Sequence, residues 1–127
     1  MELSPNGDRL LVAQNFSDLC VYDTVTLQEL GCPHTPETIS RIDLERITWS
    51  PDQSKLALTE YSPYMLEESD IWVLDIETGE FTNLTDDGVS GRYSDGYEMD
   101  YMPLWSLDGG EIYFVRTKAG DDQSTDL

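Results

Sequence analysis

"ITWSPDQSKLALTE", residues 47–60, decides the fold. A tryptophan leads into a Ser-Pro-Asp corner, and the corner leads into a short apolar run. Pro51 pre-sets φ for the first position of a tight turn, and Asp52 can bond its own backbone. The same pattern is written twice more, as "LSPNGDRLLVA" at 3–13 and "LWSLDGGEIYFVR" at 104–116. In the first copy Pro5, Asn6 and Gly7 supply the turn chemistry; in the third, Leu107 replaces the proline but "DGG" follows at 108–110.

Ser4, Ser50 and Ser106 stand 46 and then 56 residues apart. A period of about 40–50 residues marks a repeat architecture, and four strands per unit suit that length. After each corner comes "RLLVA", "KLALTE" or "EIYFV", apolar at consecutive positions. A strand covered on both faces reads this way, as in sheets stacked between sheets. A second block repeats without gaps at an offset of 52: "DLCVYDTVTLQELGCP" from Asp18 and "DIWVLDIETGEFTNLT" from Asp70. Asp18, Val21, Asp23 and Thr26 match Asp70, Val73, Asp75 and Thr78. Each block reads as strand, turn, strand. Gly79 suits the hairpin connection, while Leu27 stands in its place in the first copy and leaves that turn less defined.

The expected organisation follows, with the strands of a unit lettered A to D. Residues 1–42 form a partial unit, strands B to D plus a linker; residues 43–85 form a complete one. Residues 86–100 are a long acidic loop, residues 101–118 supply A and B of a third unit, and 119–127 are a frayed acidic tail. The "STDL" in that tail resembles the opening of a further C strand. No segment carries the apolar period and caps of a helix.

The 127 residues suffice for one core, and 39% hydrophobic content argues for an ordered chain. Seven Lys+Arg oppose 26 Asp+Glu, a formal net charge of −19. A surface this acidic repels nucleic acid and anionic lipid and favours cations or a basic partner. A plain solvated acidic coat, including adaptation to salt, explains the same numbers. No apolar run reaches the roughly 18 residues of a membrane span. The start, "MELSPNGDRLL", shows no signal peptide.

At these residues the chain resembles the TolB-type, or PD40, WD40-like β-propeller repeat. Trp49, Ser50, Pro51 and Asp52 match the family's turn. Asp70, Ile71, Val73 and Asp75 match its third strand, with Trp72 at the aromatic position, and Leu84 and Thr85 match its close. The resemblance implies an all-β chain, a β-propeller fragment of about two and a half four-stranded antiparallel blades. That number does not close a ring, so a piece of a longer propeller or a truncated product is expected, with open blade faces. It also implies a non-enzymatic, protein-binding scaffold without cofactors. The resemblance favours the cell envelope, periplasm or extracellular space, although such proteins also occur in the cytoplasm, so the compartment stays open. The alternative within the resemblance is the gating propeller of a prolyl-oligopeptidase-type serine peptidase, whose catalytic residues lie in another domain.

Catalytic chemistry finds little support in the residues themselves. His34 is the sole histidine, and Ser94 in "GRYSDG" has neither the spacing nor the strand-to-helix setting of a nucleophile elbow. Asp95, Glu98 and Asp100 are weak candidates for a cation site, three oxygens where calcium needs about 6–8. Tyr61, Tyr64, Tyr93, Tyr97 and Tyr101 cluster in the connections and are the partner-binding candidates, or else pack between blades. Trp49, Trp72 and Trp105 are expected in the core. Cys20 occupies the Trp72 position and Cys32 the Leu84 position. If Trp72 faces Leu84, the cysteines face each other, either bridged in an oxidising compartment or as two reduced core thiols.

Overall fold

The computed structural model describes residues 1–15, 18–36, 39, 42–43, 46–60, 69–86, 98–118 and 125–126. They form strands and turns, with no helix among them. The first sheet runs β1 (Glu2–Leu3), β2 (Arg9–Asn15), β3 (Asp18–Asp23), β4 (Glu29–Gly31). The second runs β5 (Thr48–Trp49), β6 (Lys55–Thr59), β7 (Ile71–Asp75), β8 (Phe81–Asn83). The third holds β9 (Glu98–Trp105), β10 (Ile112–Lys118) and β11 (Thr125–Asp126), in the order β11-β10-β9. All strand pairs are antiparallel.

The three corners close by one device. The serine hydroxyl accepts from the amide that opens the next strand, that of Arg9, Lys55 or Glu111, each at 3.0 Å. The same hydroxyl donates two residues on, to Asp52 and Asp108 at 2.7 Å and to Asn6 at 3.4 Å. Its carbonyl accepts from the amides of Gly7, Gln53 and Gly109, all at positive φ. Gln53 holds φ 63° there without a glycine's freedom, at a cost of about 1–2 kcal/mol that the surrounding bonds offset.

Alternation along its strands gives the second sheet one face toward each neighbour. Leu56, Leu58, Trp72 and Leu74 join Leu11, Leu19 and Val21 of the first sheet in one buried cluster. Ala57 and Ile71, on the opposite face of the second sheet, are also fully buried. There β9 lies close to β6, and the Trp105 indole donates to the Thr48 carbonyl at 3.2 Å. The second sheet is thus covered on both faces, which accounts for its unbroken apolar runs. On the third sheet Leu104 and Tyr113 sit opposite each other and are 60% and 57% exposed.

Several sequence expectations need adjustment. The first unit has all four strands: the Ser4 amide donates to the Arg9 carbonyl at 2.9 Å and draws Glu2–Leu3 against β2. Residues 98–100 belong to β9 rather than to a loop, because Met99 and Asp100 pair with Thr117 and Arg116. Thr125–Asp126 lies antiparallel to β10, in the place of a C strand. The Leu27 turn is as regular as its glycine counterpart. Leu27 takes φ 59° and donates to the Asp23 carbonyl at 2.9 Å, as Gly79 does to Asp75 at 2.8 Å. Asp23 enforces this by accepting the Val25 and Thr26 amides at 2.9 and 2.8 Å.

The cysteine register also differs from expectation. Trp72 faces Asn83, one residue short of Leu84, and the pairing of β7 with β8 is unbroken. By that register Cys20 would meet Gly31. Instead β4 carries a bulge: Tyr22 faces Glu29 while Val21 faces Gly31, so Leu30 is an extra residue. The bulge advances the strand by one and brings Cys32 to Cys20. The two are bonded as a disulfide, with Cα atoms 4.1 Å apart and 12 residues of separation. Cross-linking a loop of that length contributes about 3 kcal/mol in the chain-entropy view.

Candidate functional site

The corners and the C–D turns share one end of the stack, tied where the Ile76 amide donates to the Ser54 carbonyl at 2.9 Å. The strand ends on the opposite side lead into the longer segments 61–68 and 87–97 of the sequence. Their anchors are built from polar groups. The Asp100 amide donates to the Ser69 carbonyl at 2.9 Å, and the Ser69 hydroxyl returns a bond to the Asp100 carbonyl at 3.2 Å. Asp70 accepts from Asn83 at 2.8 Å and Thr85 at 3.3 Å, locking β7 to the end of β8. Asp100, 1% exposed, takes both ends of the Arg116 guanidinium: Nε to Oδ1 at 2.6 Å and Nη2 to Oδ2 at 2.8 Å. A forked pair of this kind fixes orientation as well as charge.

Glu60 follows β6 at the same site. Its carboxylate accepts the Trp72 indole N–H at 2.8 Å. Burial pushes the Glu60 carboxyl up to about 7; the Trp72 bond opposes the rise and the Asp70 charge adds to it. The folded protein therefore holds a proton on Glu60 that the unfolded chain releases near 4.5. Stability is expected to fall as pH rises from about 4.5 through 7. After discounting for partial exposure the loss is about 1–2 kcal/mol. Glu60→Gln keeps an acceptor for Trp72 and should flatten that slope, read as melting temperature at pH 5 and pH 8. A slope unchanged by the substitution would assign it to another group.

A cleft of about 410 Å³ lies between the second and third sheets. Val73, Leu84, Trp105 and Ile112 form its apolar wall, and Lys55, Asp75, Glu80 and Glu111 its charged rim. At the corner end, Ser54 and Ser50 hold Asp52 down to about 2, and Ser106 and the Gly110 amide lower Asp108.

Of the residues singled out from the sequence, Trp49 and Trp72 are buried and Trp105 is half-buried. Tyr101 is half-buried, its hydroxyl 3.2 Å from that of Thr117. Tyr61, Tyr64, Tyr93 and Tyr97 lie outside the described residues, as do Ser94 and Asp95. Glu98 opens β9, and both Asp100 oxygens are engaged by Arg116, so a cation there would compete with a guanidinium. His34 is exposed and bridges to Asp18 through the backbone. Among the described residues no helix is long and apolar enough to cross a membrane. Sequence reasoning missed Glu60 and Arg116. The available signal was a charge placed at the inner end of an apolar strand, after Thr59 in one case and Val115 in the other.

Among solved structures, the chain is similar to TolB from Acinetobacter baumannii, a β-propeller, with a TM-score of 0.50 and 15% identity. The match covers 97% of this chain and 30% of that one. The fold is a TolB-like β-propeller segment. No family model matches the chain, and no curated protein does. At this identity the likeness to TolB concerns the fold. The three sheets are accordingly blades, and the chain spans about a third of the TolB length.

Proposed function

We propose that this TolB-like segment is a non-enzymatic scaffold of PD40-type repeats that binds a protein partner through its loop-bearing end. One observation carries the reading. Ser69 and Asp100 bond to each other, so the roots of segments 61–68 and 87–97 stand side by side. Those segments hold four of the five candidate tyrosines, a residue type favoured at recognition surfaces. The net charge of −19 favours a basic partner surface.

The test is a displayed-peptide selection on the immobilised chain, followed by affinity measurement on variants. Selected binders should be rich in Lys and Arg. They should lose about tenfold or more in affinity to Tyr64→Ser with Tyr97→Ser, as expected when interface aromatics are truncated, and keep it for Val25→Ser at the corner end. Binders indifferent to the tyrosines, or no saturable binder, would overturn the reading.

A further inference from the structure

We infer that the reduced protein carries a zinc site made by Cys20, Glu29 and Cys32. This stands apart from the loop-end reading and concerns the first blade alone. In β4 the Leu30 bulge changes which side chains share a face. Glu29 lies opposite Tyr22 and so shares the face of Tyr22 and Cys20. In a regular strand the next residue on that face would be Gly31. The extra residue gives that place to Cys32. One ligand atom each from Cys20, Glu29 and Cys32 consequently lie within 4.8 Å of one another. The equivalent face of the second blade, with Trp72 and Leu74 opposite Asn83 and Phe81, has no bulge and no such set.

Two sulfurs and a carboxylate are a zinc donor set. Cys20 is 6% exposed, whereas Glu29 and Cys32 are open to solvent, so the site has a protein wall and a mouth. Three protein ligands leave a fourth tetrahedral position to water. The strongly negative chain raises the local concentration of divalent cations.

In the disulfide state the sulfurs are bonded to each other and unavailable. A dithiol reductant opens the bond: its two electrons and two protons convert the cystine to two thiols, and it leaves as its own disulfide. Zinc then displaces the two thiol protons to solvent. The sulfurs settle about 3.8 Å apart, the spacing of two bonds of about 2.3 Å at a tetrahedral angle. The first blade therefore alternates between a covalent staple and a metal clip according to its redox state.

Cobalt(II) is the probe, titrated without oxygen into the 127-residue chain reduced by a water-soluble phosphine, which takes the oxygen of water and leaves two thiols. The expected result is a near-ultraviolet thiolate-to-cobalt absorption, reversed by zinc and absent from the oxidised protein. Glu29→Gln retains both cysteines and lies on the surface, so its folding is secure. It should weaken zinc by about tenfold or more, at least the effect of disturbing a supporting ligand. A reduced chain without the absorption, or a Glu29→Gln chain that binds zinc as tightly as the parent, would overturn the assignment.

Discussion

Arg116→Met is expected to lower stability by about 3–5 kcal/mol, because it leaves the Asp100 carboxylate charged and buried without its partner. Asp100 is 1% exposed and spends both oxygens on the guanidinium, so little water can replace what is lost. The pair joins β9 to β10 across the strands, and Asp100 in turn holds Ser69. Its removal should loosen the third blade and the root of segment 61–68 together. The measurement is the urea midpoint, with hydrogen exchange on β9 and β10 to localise the effect. Replacing both partners, Asp100→Leu with Arg116→Met, should recover most of the loss, since an apolar pair of similar volume avoids the stranded charge. A single variant as stable as the parent would show that solvent reaches Asp100.

Trp72→Ala should cost a similar amount, about 3–5 kcal/mol, through lost packing between the first two blades. Trp72 is 9% exposed within the cluster that includes Leu56, Leu58 and Leu74. Trp72→Phe separates the two contributions of the residue. It retains a ring in the core but removes the N–H that Glu60 accepts, and should cost about 1–2 kcal/mol. Because that bond opposes the upward shift of Glu60, its loss should steepen the fall in stability with rising pH. Equal costs for the two variants at pH 5 would mean that ring packing is a minor part of the role of Trp72.

Much of the fold was legible because its determinants are local. Each corner closes over a short span, from Ser50 to Lys55 in the middle copy, and the serine, proline and aspartate that shape that turn are adjacent in the chain. The Asp23 and Asp75 turns are local in the same way, which is why Leu27 could occupy a position that favours glycine. Where a bond joins residues far apart in sequence, the chain was silent. Asp100 read as the end of an acidic loop because its partner lies 16 residues on, inside an apolar strand. The cysteines were paired on a register that was off by one in the second blade, and a bulge in the first blade supplied the missing residue. No propensity signals that bulge. The Glu60 bond carries no local signal, because the indole that makes it lies across the sheet, 12 residues on.

The turns at the corner end have a consequence for behaviour in acid. Backbone and hydroxyl donors keep Asp23, Asp52 and Asp108 ionised below the ordinary carboxylate range. Glu60 at the far end neutralises near pH 7. On mild acidification the far end thus gives up the Glu60 charge while the corner aspartates keep theirs, and the charge balance tilts toward the corner pole. A cationic surface would then meet its steadiest negative charge at the corner pole.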